Sequence, residues 1–164
     1  MLRHLTFPAA LRMVLAVAGL TLGGATACGK DGATAPEATI SGSYNLTTID
    51  GDDPPVTVYD GQARLPDGQV VALKVSVIDS ELSLDRDGSY FMAVTLRVSV
   101  DGNTATQSLS NEGSFDHAGS SLAFESDDPD ISDFRGTLAG SHVTLHLDIM
   151  GNGEEYAYVY SKSR

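Results

Sequence analysis

Apolar and polar positions alternate along "SYFMAVTLRVSV" (Ser89–Val100). Tyr90, Met92, Val94, Leu96, Val98 and Val100 share one parity, and the intervening positions are mostly small or polar: Ser89, Ala93, Thr95, Arg97 and Ser99. A period of two sends successive side chains to opposite faces, which marks a strand with one buried side. The pattern repeats in "HVTLHLDI", with Val143, Leu145, Leu147 and Ile149 on one face and His142, Thr144, His146 and Asp148 on the other. No window of comparable length carries helical spacing. Asp87-Gly88, Asp101-Gly102, Gly119-Ser120, Gly140-Ser141 and Gly151-Asn152-Gly153 punctuate the runs, and such pairs tolerate the positive φ of tight hairpins. The pattern predicts strands near 43–49, 69–78, 80–85, 89–100, 103–115, 120–126, 132–139, 141–149 and 154–161. Val71, Leu73, Val75 and Val77 are odd, whereas Leu82 and Leu84 are even. A bulge or sharp bend at Asp79-Ser80 restores one buried face. The expected fold class is all-β: an antiparallel up-and-down meander of eight or nine strands that removes its edges by closing into a barrel.

The first residues follow another logic. Arg3 and Arg12 give a positive start, no acid occurs from Met1 to Ala27, and "MVLAVAGLTL" (Met13–Leu22) is apolar. Ten residues are too few to cross a bilayer, which takes ~20, but they suit the core of a secretory signal. The small residues "GGATA" then lead to Cys28, the only cysteine of the chain. This arrangement resembles the lipobox of bacterial lipoproteins, in which the cysteine becomes the first mature residue and carries lipid. Thr26, Ala27 and Cys28 fit that pattern, and Ala25 stands where the family usually has Leu. The competing reading is a soluble secreted protein cut near Ala27, with Cys28 a stray thiol. The resemblance implies residues 1–27 as a lipoprotein signal peptide, Cys28 as the lipid attachment site, and a place in the bacterial cell envelope, on the periplasmic face of the outer membrane or the cell surface. Residues 28–39 are small and polar and read as a flexible tether. Residues 40–164 are the barrel domain.

Charge narrows the partners. The whole chain of 164 residues carries a net charge of −12. Loss of residues 1–27 removes Arg3 and Arg12 and none of the 22 acidic residues, which takes the charge to −14. Such a surface repels phosphate backbones, so no nucleic-acid partner is expected, and it disfavours anionic headgroups, so membrane attachment falls to the lipid on Cys28. A single cysteine forms no intramolecular disulfide.

"GSYNLTTIDGDDPP" (Gly42–Pro55), "LSLDRDGSY" and "NEGSFDHAGSSLAFES" resemble small bacterial lipocalin-like lipoproteins. These open with a Gly-x-Tyr-x-Leu strand and a short Gly- and Pro-containing loop before a β-meander. The resemblance covers most of residues 40–164 and implies a lipocalin-like barrel, with no assigned activity. Lipocalins proper have Trp in the opening Gly-x-Trp motif; this chain has no Trp, and Tyr44 occupies the matching place.

Candidate chemistry is sparse. His142 and His146 on one strand lie ~13 Å apart at ~3.3 Å per residue, too far for one zinc ion with ligands at ~2 Å. His146 and Asp148 share a face and need a neighbouring strand to complete any ion site. Asp50, Asp52 and Asp53, and Asp127, Asp128, Asp130 and Asp133, fall in expected loops without the Asp-x-Asp-x-Asp-Gly spacing of a calcium loop, and read as turn-forming, solubilising residues. No serine lies in a Gly-x-Ser-x-Gly elbow, and His117 reads as a turn residue. Gly151-Asn152-Gly153 lacks the helix of a phosphate site and reads as a turn too. The expectation is no catalytic residue, no cofactor, no metal and no enzyme.

The barrel interior remains, with Leu46, Val75, Leu84, Met92, Val94, Leu96, Phe124, Phe134, Leu145 and Leu147 as its expected lining. An eight-stranded barrel is just wide enough to be filled by side chains or to hold one small ligand. Two readings stay open. One is a lipid-anchored module that takes a small apolar ligand into the lumen. The other is a structural or inhibitory envelope protein with a packed barrel, acting through its outer surface on an unknown protein partner. Tyr156, Tyr158 and Tyr160 on the last strand ring the mouth, form an outer contact surface, or pair across strands.

Overall fold

Nine strands follow one another through residues 40–163, the part of the chain that the computed structural model describes. They are β1 (Gly42–Ile49), β2 (Val56–Arg64), β3 (Val70–Leu84), β4 (Ser89–Val100), β5 (Asn103–Ala118), β6 (Ser121–Ser126), β7 (Phe134–Ala139), β8 (His142–Leu147) and β9 (Tyr156–Lys162). No helix lies among these residues. The expected signal peptide, Cys28 and the tether lie outside the described residues. From β2 to β9 each strand pairs with its sequence neighbour, and β9 pairs with β1. β1 also pairs with the end of β3, from Gly42↔Leu84 to Asn45↔Glu81. That contact closes eight antiparallel strands into a barrel, with β2 as an extra strand.

Neither β2 nor the continuity of β3 follows from the alternation pattern. The expected strands at 69–78 and 80–85 are one strand, bent where Ile78 is left over between Val77↔Leu96 and Asp79↔Thr95. The extra residue carries the buried face from odd to even positions, so the predicted parity change is real and falls beside its predicted place. β2 pairs with the first half of β3, from Val56↔Val77 to Arg64↔Val70. Both β1 and β2 are antiparallel to β3, so they run in the same direction. Asp50–Pro55 therefore does not join β1 and β2 as a hairpin, although it opens with a tight turn in which Ile49 and Asp52 exchange two hydrogen bonds. It is a jog through which the chain leaves β9 and moves along the edge of β3. Thr47 and Val58 are the skipped residues on either side of this jog, and such bulges supply the local bend it requires. In "VTVYDGQAR" the bulge breaks the period of two, and Tyr59 donates from its hydroxyl to the Gln62 carbonyl at 2.9 Å. Its ring packs closely over Gly61, where an added Cβ would lie 3.3 Å from the ring carbon Cζ.

Closure depends on a small group of side chains at the start of β1. Gly42 has φ of 145°, and an added Cβ would meet the Lys162 side chain from β9. The Lys162 ammonium in turn lies 5.7 Å from the centroid of the Tyr44 ring. Tyr44 is buried and donates its hydroxyl to the Ile40 carbonyl. Burial raises the pKa of that hydroxyl. Tyr44 thus packs against β9 while its backbone pairs with β3, where the first and last strands meet. Gly113 serves the opposite wall: a Cβ there would collide with the Glu125 carbonyl of β6, so only glycine allows β5 and β6 to approach.

Candidate functional site

Alternation decides which side chains enter the barrel. All ten residues expected to line it are buried in one continuous apolar cluster: Leu46, Val75, Leu84, Met92, Val94, Leu96, Phe124, Phe134, Leu145 and Leu147. The cluster also holds Tyr44, Tyr90, Phe115, Leu82, Tyr158 and Tyr160, which are not among the expected lining residues. Their signal was present. Tyr158 and Tyr160 share a parity on β9, and Tyr90 continues the even face of β4.

Aromatic rings fill part of the interior. Phe124 stacks on Phe134 at 4.7 Å between centroids and lies near-parallel to Phe115 at 5.9 Å. Tyr90 meets Phe124 and Phe134 edge-on at 5.1 and 5.6 Å. Both arrangements are favoured by the ring quadrupoles. Tyr90 is buried near Ser126 and Asn111, which oppose the rise that burial imposes on its pKa, yet its hydroxyl makes no hydrogen bond. Ser126 itself donates to Asn111 Oδ1 at 2.8 Å.

β9 contributes two tyrosines with different surroundings. The Tyr160 and Ser80 hydroxyls are 2.9 Å apart, and Ser80 donates to the Ala93 carbonyl at 2.8 Å. The Tyr160 hydroxyl also lies 3.8 Å from Met92 Sδ. Burial pushes Tyr160 up to about 12, with the Ser80 hydrogen bond opposing the rise. Tyr158 is fully buried, paired in register with Ile49 and Leu145, yet its hydroxyl has no hydrogen-bond partner. Desolvation raises its pKa as well, helped by Tyr160, Tyr156, Asp50 and Asp148. Buried hydroxyls almost always find a partner, and leaving one unmade costs about 1–3 kcal/mol. The two hydroxyls predict opposite mutational outcomes. Tyr160→Phe breaks a made bond and should lower stability by about 1 kcal/mol. Tyr158→Phe removes an unmatched polar group and should leave the ligand-free protein as stable or more so. Urea unfolding of both variants tests this; equal losses would show that Tyr158 has a permanent partner.

The three tyrosines are therefore no outer contact surface, since Tyr158 and Tyr160 are fully buried and Tyr156 is half-buried. Tyr156 stands at the barrel end where β1 and β8 stop, and reaches the Val58 carbonyl at 3.1 Å. Burial raises its pKa, with Glu154, Asp50 and Asp148 adding to the rise.

Several of the acidic groups singled out in the sequence hold backbone amides. His142 and His146 are exposed on β8, and their cross-strand neighbours are Ala139 and Ser161, and Arg135 and Ala157. Asp148 accepts from the Asn152 and Gly153 amides at 3.2 and 2.7 Å, which folds the Gly151-Asn152-Gly153 turn. Asp50 accepts from the Ala157 amide at 2.8 Å, and Asp128 from the Asp130 amide at 2.9 Å. Asp87 accepts from both the Ser89 hydroxyl and amide, and these bonds hold its carboxyl below the usual range. His117 is a strand residue near the end of β5, paired with Leu122, rather than a turn residue. Among the described residues no three His, Cys, Asp or Glu side chains converge on an ion. An open groove of about 540 Å³ runs beside the β3–β4 turn, lined by Ser41, Gly42, Leu84, Asp85, Arg86 and Asp87. The chain matches no protein-family model, and a search of curated proteins gave no match.

Proposed function

We propose that this chain is a lipid-anchored protein of the bacterial envelope, a small lipocalin-like lipoprotein whose barrel takes up one small, largely apolar molecule bearing a hydrogen-bond acceptor. The observation that carries the ligand reading is the Tyr158 hydroxyl, buried and without a hydrogen-bond partner. An acceptor atom on a ligand satisfies it, and the apolar walls take the rest of the molecule. The protonated form is the one that donates, and a phenol is protonated across the physiological range even before burial raises its pKa.

The aromatic packing of Tyr90, Phe115, Phe124 and Phe134 favours the second reading, a filled barrel that works through its outside. The two differ in what becomes of Tyr158: a ligand satisfies its hydroxyl, whereas a filled barrel leaves it unmatched, as it leaves that of Tyr90. Neither reading assigns catalysis.

The anchor rests on the lipobox-like residues Ala25 to Cys28. Cys28→Ser should release the protein from the membrane fraction or leave the precursor uncut. Unchanged fractionation with normal processing would reject the anchor while leaving the barrel and its ligand in place.

A further inference from the structure

Most of the barrel wall is paired on both sides, but β5 outruns β6. β4 pairs with β5 along its whole length, from Ser89↔Ser114 to Val100↔Asn103, whereas β6 covers only Gly113–Ala118. The Phe115 amide donates to the Gly88 carbonyl in the β4 register, and the Asp127 amide donates to the Glu112 carbonyl in the β6 register. In an antiparallel ladder these bonds alternate, so odd residues of β5 bond β4 and even residues face the other way. The backbone groups of Thr104, Thr106, Ser108 and Ser110 therefore point out of the sheet edge, and these four residues are exposed.

Open edges are normally blunted by charge, proline or a bulge. The edge of β2 is: it has the Val58 bulge, carries Asp60 and Arg64, and has its Val58 and Gln62 carbonyls occupied by the Tyr156 and Tyr59 hydroxyls. Asn103–Asn111 has none of these devices. It contains no charged residue, no proline and no glycine, in a chain of net charge −12, and its register with β4 is unbroken.

We propose that this edge pairs antiparallel with the same edge of a second copy of the chain, about a twofold axis at Gln107. The segment Thr104-Ala105-Thr106-Gln107-Ser108-Leu109-Ser110 is chemically palindromic about that residue. Thr104 meets Ser110, Ala105 meets Leu109, Thr106 meets Ser108, and Gln107 meets itself. Hydroxyl pairs and apolar pairs across a ladder are each favourable. The outward-facing residues Thr104/Ser110 and Thr106/Ser108 become the hydrogen-bonded pairs, each exchanging two bonds. The flanking acids Asp101 and Glu112 fall opposite Gly113 and Gly102, not opposite each other. A perpendicular twofold also keeps equivalent faces on one side, so the partly buried Val98, Val100 and Leu109 join their counterparts into one apolar surface. Such an isologous contact closes on itself as a dimer. It is smaller than the ~1,200–2,000 Å² of stable complexes, so it forms in proportion to concentration.

Disulfide trapping in the full chain tests this. Gln107 faces its counterpart as a non-hydrogen-bonded pair, with Cα atoms ~4.5 Å apart, within the range a disulfide spans. Gln107→Cys should give a linked dimer on mild oxidation, well above the unaltered chain, whose one cysteine is Cys28, and above a Gln62→Cys control on the β2 edge. Adding Thr106→Pro removes an amide that only a partner uses, once in each copy, and should cut linkage about tenfold with the fold retained. If the proline variant does not fold, Thr106→Lys places like charges across the axis and should do the same. Linkage no greater than the Gln62→Cys control, or linkage indifferent to the change at Thr106, would overturn the proposal. Capture of a different protein in place of a second copy would overturn self-pairing and assign the edge to a foreign strand.

Discussion

Val94→Asp should unfold the domain, whereas Thr95→Asp should leave it standing. Val94 is 4 % exposed, between Ser80 on β3 and Leu109 on β5. The one polar side chain across from it, Ser80, already donates to the Ala93 carbonyl and pairs with Tyr160, and the rest of the interior is apolar. Burying it costs several kcal/mol, and a domain of this size has only about 5–15 kcal/mol to lose. Thr95 is the next residue and faces outward, half-exposed, with Asp79 and Ser108 across from it. An aspartate at 95 stays hydrated, and its main penalties are strand propensity and the like charge of Asp79, together about 1 kcal/mol. Thr95→Lys faces the same Asp79 with opposite charge and should recover that loss. Urea unfolding of the three variants reads the face of β4 directly, and equal destabilisation by the two aspartates would reject a half-buried strand.

Alkaline pH should unfold the protein between about pH 10 and 12, where the buried tyrosines retain protons that the unfolded chain has released. Tyr44, Tyr90, Tyr158 and Tyr160 are all buried, and burial raises the pKa of each from 10.0. The sign follows from proton counts. Above pH 10 the unfolded state binds fewer protons than the folded state, so stability falls as pH rises. The stabilisation is fully present below the unfolded value and is lost as pH climbs through the folded one. For Tyr160, at about 12, the loss is on the order of 3 kcal/mol, and the other three add to it. Phenolate absorbance should therefore lag behind free tyrosine and then rise together with loss of the near-ultraviolet circular dichroism. Gradual ionisation below pH 10 with the fold intact would mean that these hydroxyls reach water.

Much of this architecture was legible because one face of nearly every strand is buried. β4 and β8 read clearly, since Tyr90 to Leu96 and Val143 to Leu147 alternate without interruption. β8 nevertheless stops at Leu147, before the expected Ile149, because Asp148 turns to hold the Asn152 and Gly153 amides. What escaped were places where one residue too many enters a ladder. Ile78 made β3 look like two strands, and Val58 with Gly61 hid β2 altogether. The total of nine strands agreed because one split strand offset one hidden strand. The site was legible in its aliphatic part for the same reason. Its tyrosines were harder, because a ring with a hydroxyl fits an interior, a mouth or an outer surface. Only the fold shows that the Tyr160 hydroxyl meets Ser80, eighty residues away in sequence, while that of Tyr158 meets nothing.

Native mass spectrometry of the protein extracted from its own host's membranes tests the central claim most directly. A lipid-anchored, ligand-carrying barrel should begin at Cys28, be heavier than the polypeptide by its acyl groups, and carry a further non-covalent mass that is lost on unfolding and weakened by Tyr158→Phe. A chain of bare polypeptide mass, or one that shows no additional mass in its folded state, would contradict the account.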